Sequence, residues 1–173
     1  DKHGGALFAS NSSKLLIRHC RIERNRTGNI VGAPGHTGDP GTPGESVTSG
    51  HGGAIYLRDS SPEISDNFFF ANHTGFAQGG MGGPGNSYSG GPNVYGDDGG
   101  PAGNAESGGG GAIYAIHGSL LLMGNVFGNN RTGLGTGGCG GVGGGATLTQ
   151  NGHAYGGDAD DGGCGVSGNG GAL

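Results

Sequence analysis

Three stretches of the chain restate one pattern. A Gly-Gly-Ala-aliphatic-aromatic opening begins at Gly4, Gly52 and Gly110, and Gly-Gly-Ala-Leu returns at Gly170. Each of the first three openings leads to an apolar-x-x-Asn-x-Thr-Gly string, running from Ile22 to Gly28, from Phe69 to Gly75 and from Phe127 to Gly133. From opening to closing glycine the units span 25, 24 and 24 residues, whereas the distance between openings grows from 48 to 58 to 60. All the variation in length therefore falls after the closing glycine. That is the signature of a solenoid whose regular rungs, 4–28, 52–75, 110–133 and the start of a fourth at 170–173, carry irregular insertions.

Counting back from the closing strings brings like residues into columns. Ile17, Ile64 and Leu122 form one, and Ile22, Phe69 and Phe127 another. Cys20, Asn67 and Asn125 form a third, and Asn25, Asn72 and Asn130 a fourth. Leu7, Ile55 and Ile113 align near the start, followed by Phe8, Tyr56 and Tyr114. Short apolar runs rich in strand formers alternate with Ser, Gly, Asn and Pro, and no segment keeps a helical period. A single rung of this kind cannot bury its apolar side, so the rungs must stack, like over like, at the strand spacing of about 4.7 to 4.9 Å.

Two roles compete for the recurring asparagines. A buried amide both donates and accepts, so Asn25, Asn72 and Asn130 can bond to one another along the stack as a ladder and avoid the cost of an unsatisfied polar group. The same three residues, with Asn11, also carry the Asn-x-Ser/Thr signal for N-glycosylation.

The pairing of Gly52-Gly-Ala-Ile55 with Phe69-Phe-Ala-Asn72, and of Gly110-Gly-Ala-Ile113 with Phe127-Gly-Asn-Asn130, resembles the repeats of the chlamydial polymorphic outer membrane proteins and of the wider right-handed parallel β-helix repeat proteins. The first unit departs in having Ile22 in place of Phe. The resemblance covers the three structured halves, under half of the chain. It implies a β-helix displayed outside a cell, often in adhesion, and implies no catalytic residue.

Between the rungs lie inserts 29–50, 76–109 and 134–169, which hold most of the 48 glycines. Loops this long without structure of their own are usually functional or disordered. Here Gly32, Gly35, Gly38, Gly41 and Gly44 keep a strict period of three, and Thr136-Gly-Gly-Cys139-Gly-Gly-Val142-Gly-Gly does the same. Three residues per turn is the period of polyproline II, whose glycine face would be bare and open to close approach by another backbone. A collagen triple helix needs more triplets than this, and a flexible linker is the plain alternative. The expectation is out-and-back polyproline-II hairpins, one per rung, stacked on their glycine faces.

Charge is uneven along the chain. Lys2, Lys14, Arg18, Arg21, Arg24 and Arg26 face only Asp1 and Glu23 in the first 26 residues, whereas Arg131 alone opposes Asp97, Asp98, Glu106, Asp158, Asp160 and Asp161 after residue 96. In a solenoid this difference lies along the axis, where it favours head-to-tail over head-to-head stacking. The basic first rung also suits weak binding to an acidic polysaccharide. It has no aromatic platform for nucleic acid.

Of three cysteines, Cys20 falls in an inward column and is expected to be a buried thiol. Cys139 and Cys164 lie in a glycine-rich insert with nothing to pack against, and in an oxidising compartment they would pair as a disulfide. Neither a CxxC nor a Cys/His zinc spacing occurs. Asp158, Asp160 and Asp161 give weak calcium candidates, without the bidentate Glu of an EF-hand or an iterated Gly-x-Asp nonapeptide. Polysaccharide cleavage needs paired carboxylates on a rung face, but Asp97-Asp98 and Asp160-Asp161 sit in the inserts, and His3 and His51 read as a column beside a turn.

With 31% apolar and 6% aromatic residues, the chain is poor in material for a compact globule. No apolar run is long enough for a membrane span, and no signal-peptide pattern is present. It begins with Asp and is bounded by Gly-Gly-Ala-Leu at both ends, as expected of a processed protomer or an excerpt of something longer. The sequence thus predicts a single all-β domain over 1–173, a right-handed parallel β-helix with polyproline-II-like inserts. The expected role is a structural subunit of an extracellular filament, surface fibre or adhesin shaft, with no catalytic residue and no cofactor. Its partners would be further copies of itself and cell-surface polysaccharide, with no nucleic acid. The alternative is a carbohydrate-binding or carbohydrate-cleaving β-helix.

Overall fold

The computed structural model describes residues 3–173. Those residues form nineteen short strands and no helix, so none is long and apolar enough to cross a membrane. Every strand pairing is parallel and joins equivalent positions of successive units. Ile55–Arg58 lies between Leu7–Ser10 and Ile113–Ile116, and Glu63–Ser65 between Leu16–Arg18 and Leu121–Met123. Phe68–Phe70 lies between Arg21–Glu23 and Val126–Gly128. At the roots of the inserts, Ala77–Gln78 lies between Ile30–Val31 and Gly135–Thr136, and Ala105–Glu106 between Val47–Thr48 and Gly165–Val166.

The register places like on like. Ile17 and Leu122 flank Ile64, and Ile22 and Phe127 flank Phe69. Ile64 and Phe69 are completely buried, in one core with Ile55, Leu57 and Ile113. Their equivalents in the outer two units are half-buried, because each has a neighbour on one side only. A second, smaller core of Val47, Ala77 and Ala105 closes the root of the inserts.

Between strands the backbone turns on left-handed residues that recur unit by unit. Asn11, Asp59 and His117 hold the first corner, His19, Asp66 and Gly124 the second, and Arg24, Ala71 and Asn129 the third, all at φ between 48° and 59°. A left-handed non-glycine residue costs about 1 to 2 kcal/mol. The apolar columns on either side of each corner offset that cost, since turning the chain is what brings Ile64 and Phe69 to the same interior. Gly52, at φ 67, opens its unit in the same conformation, with no room for a side chain against the Ile55 carbonyl.

Each insert runs out and back, and successive inserts lie on one another. Outgoing legs bond to outgoing legs, as Gly35 N to Met81 O and Gly82 N to Cys139 O. Returning legs bond to returning legs, as Gly41 N to Asp98 O and Gly99 N to Asp158 O. A further series zigzags between the legs: Asp160 N to Gly141 O, Gly141 N to Gly100 O, Gly100 N to Gly83 O and Gly83 N to Thr42 O, at 2.8 to 3.1 Å. In the first insert, with a neighbour on one side only, the one glycine of each three is inward, whereas in the middle insert two residues of every three face another backbone and the third faces out. The inward two are mostly glycine, and Met81, Pro84, Cys139 and Val142 take the exposed third place.

Candidate functional site

The asparagines and threonines that recur in every unit are spent on holding units together. Asn25 donates both its backbone N–H and its Nδ2 to Asn72 Oδ1, at 3.0 and 2.9 Å, and Asn72 does the same to Asn130 Oδ1. The second proton of Asn72 Nδ2 goes to the Ile22 carbonyl, and Asn130 Nδ2 donates to Phe69 O. Asn67 and Asn125 form a parallel ladder, capped by the Cys20 N–H donating to Asn67 Oδ1. These amides are the ladder's donors; Asn72 is completely buried, which leaves no room for a glycan there, while Asn25 and Asn130 are half-buried. The side chain of Asn11 is exposed, with one contact to Ser10 Oγ.

The threonine of the closing string does work that its sequence position did not announce. Thr27 Oγ1 donates to Gly50 O and accepts from Gly75 N, and Thr74 Oγ1 donates to Gly108 O and accepts from Gly133 N. Each hydroxyl thus ties the start of an insert to its end and to the unit above. Ser49 and Ser107 complete the clasp, with Ser49 Oγ donating to Gly75 O at 2.7 Å. Among the described residues no buried side-chain polar atom lacks a partner.

His3 and His51 also bridge units. His51 N donates to His3 Nδ1 at 3.0 Å, and Gly109 N donates to His51 Nδ1 at 2.8 Å. Both rings stack beside the Phe8, Tyr56 and Tyr114 column. An accepting Nδ1 must be unprotonated, so these bonds require neutral imidazoles. Burial holds both below the usual value of 6.5, with the His3 charge adding to the effect at His51 and Glu106 opposing it. The stability these bonds contribute is then fully present above the unfolded value and is lost as pH falls below it through the lowered folded values. The urea midpoint is expected to fall between pH 7 and about pH 5, and His3→Gln with His51→Gln to flatten that dependence. An unchanged slope in the double variant would contradict the assignment.

The candidate chemistry in the acidic inserts is dispersed. Asp158 N donates to Asp98 Oδ1 and Asp161 N to Asp160 Oδ1, contacts that order the legs. Asp97 Oδ2 accepts from Asn86 Nδ2 and from the Tyr88 hydroxyl, which raises the Tyr88 pKa. Asp158, Asp160 and Asp161 do not come together: among the described residues no three His, Cys, Asp or Glu side chains form a group able to hold a metal ion.

The cysteines depart from expectation. Cys139 and Cys164 are free and exposed, not a disulfide. Both take the outward place of the three-residue period, Cys139 on an outgoing leg and Cys164 on a returning one, so each turns away from the glycine contact between them. Cys20 is exposed as well, because its column has a neighbour on one side only and its Sγ lies at the surface, 3.1 Å from Arg18 O.

Surface hollows are shallow and lie between units. One of about 380 Å³ is lined by His51, Glu106, Tyr114, Leu120 and Leu173. Comparison of the chain with known protein families, curated proteins and solved structures found no match.

Proposed function

We propose that the chain is a structural subunit of an extracellular filament, surface fibre or adhesin shaft. In this reading the units are rungs of a right-handed parallel β-helix, and the insert legs are polyproline-II strands packed on their glycine faces as a second layer. The observation that carries it is the residue-for-residue register across three units. Leu7–Ser10 pairs on one edge only, Ile113–Ile116 is met on its far edge by Ala172 alone, and Ile17, Ile22, Leu122 and Phe127 are half-buried and match the columns of the middle unit.

An open parallel edge is a template for another strand, and the best fit to these columns is a further unit of the same kind. A second copy supplies one. The basic start and acidic finish give the stack a polarity, so the contact is heterologous and propagates without closing. The resemblance to repeats of outer membrane proteins supports display outside the cell. Recurring polar residues consumed by ladders and clasps support a scaffold over a catalyst.

Sedimentation velocity of the purified chain over a concentration series tests this. Species larger than a monomer are expected to grow with concentration at moderate salt and to shrink as salt screens the end charges. A monomer that persists at high concentration and low salt would overturn the proposal.

A further inference from the structure

One strip of surface keeps its charged side chains out of the stacking. Arg26, His73 and Arg131 lie in register, each bridging its equivalent in the next unit. They sit between the inward Asn and Thr columns and so point outward, with both arginines exposed and His73 half-buried. Three residues further on, the registers Ile30 to Ala77 and Ala77 to Gly135 align Asn29, Phe76 and Leu134 in a second column. Arg26 Nη2 donates to Asn29 Oδ1 at 2.7 Å, which sets the two columns side by side.

The ion pairs among the described residues are Arg18 with Glu63, Arg21 with Glu23, and Asp59 with Arg58 and His117. None includes Arg26 or Arg131. After burial, the influences that lower the His73 pKa are the charges of Arg131 and Arg26. The two arginines lie two strand spacings apart, about 9 to 10 Å, with His73 between them, and an anion alongside relieves their repulsion.

The geometry points to this strip as a binding surface for a linear carboxylated polysaccharide running along the stacking axis. Such a chain carries regularly spaced carboxylates, two of which meet Arg26 and Arg131, with the His73 imidazole N–H between them. The sugar rings between carboxylates present C–H faces, which Phe76 and the exposed Leu134 cover. A single-stranded nucleic acid instead needs open aromatic faces for its bases, and the two aromatic rings of the strip, Phe76 and the His73 imidazole, are both half-buried. The strip lies on each chain, so the inference stands whether or not chains assemble, and binding is scored per chain.

Titration calorimetry of the full chain with alginate oligomers in calcium-free buffer tests it. Binding is expected at low salt, weakening as NaCl rises, with neutral dextran inert. Arg26→Gln with Arg131→Gln should bind at least tenfold more weakly and flatten the slope of log K against log salt by about 1.4, the loss of two ion contacts to a single strand. Leu134→Ser should weaken binding with the salt slope unchanged. Arg18→Gln, on another column, should match the parent. The inference fails if the parent does not bind, if Arg18→Gln loses as much as the double variant, or if oligo-dT of matched charge binds as tightly. Thermal unfolding of the double variant, whose changes are at the surface, is expected to match the parent and so separates lost binding from lost fold.

Discussion

Phe69→Ala is expected to destabilise the protein by about 3 to 5 kcal/mol, the usual cost of removing a fully buried phenylalanine. The ring is completely buried, stacks on Phe127 with centroids 4.9 Å apart and planes 8° apart, and has Ile22 in register on its other side. Removing it opens a void that neither neighbour can fill without breaking strand pairing. Phe68→Ala is the control: its ring points outward from the same strand and is 36% exposed. Urea unfolding followed by circular dichroism should give the inward variant a loss several times that of the outward one. Equal losses would mean that the inward and outward faces are assigned wrongly.

The second large effect is expected from a single methyl group. A Cβ on Gly83 would overlap the His36 carbonyl oxygen and lie 2.7 Å from the His36 amide nitrogen. The crowded atoms are backbone, which cannot rotate away, and Gly83 N already donates to Thr42 O in the zigzag between legs. Gly83→Ala is therefore expected to cost at least the 1 to 3 kcal/mol typical of overpacking. Gly28→Ala has open space around the added carbon and should cost little. Hydrogen exchange locates the damage. Amides of the insert legs around Gly80 and Gly100 should exchange faster in the Gly83 variant, while Ile64 and Phe69 stay protected. Identical exchange in parent and variant would show that the legs are not in close contact and would return the inserts to a linker.

The columns were legible because stacking demands the same side chain at the same height in every unit. Ile64 could be matched to Ile17 and Leu122 from the closing strings alone, and the asparagine ladders followed from the same alignment. The three-residue glycine period likewise pointed to legs in close backbone contact. The corners were not legible. Asn11, Asp59 and His117 share a left-handed backbone but no side chain, because the conformation is imposed by the strands it joins and tolerated at modest cost. The cysteines were misread for a related reason. Composition placed Cys139 and Cys164 in one insert, but which leg faces which, and at what offset, is fixed by the hairpin and not by local composition, and both thiols are exposed. Cys20 shares its column with two buried or half-buried asparagines, yet lies in the outermost unit, where an inward column has only one neighbour.

The clasp formed by Thr27 and Thr74, and repeated where Thr132 Oγ1 donates to Gly168 O at 2.9 Å, had a signal that the glycosylation motif masked. In Asn-x-Thr-Gly the Asn serves the ladder and the Thr the neck of the insert, so one string does two structural tasks. The x of Asn-x-Thr-Gly aligns Arg26, His73 and Arg131 in the sequence itself; what the structure adds is that the strand register makes the column continuous and that, among the described residues, no carboxylate pairs with its arginines.

Helical reconstruction from electron micrographs of the assembled chain tests the central claim most directly. Stacking of three units at the strand spacing predicts an axial rise of roughly 14 Å per subunit, in one polarity, with the insert layer continuous along one side. A subunit rise that is not a whole number of strand spacings, or subunits joined through the insert tips with the end strands left uncovered, would contradict it.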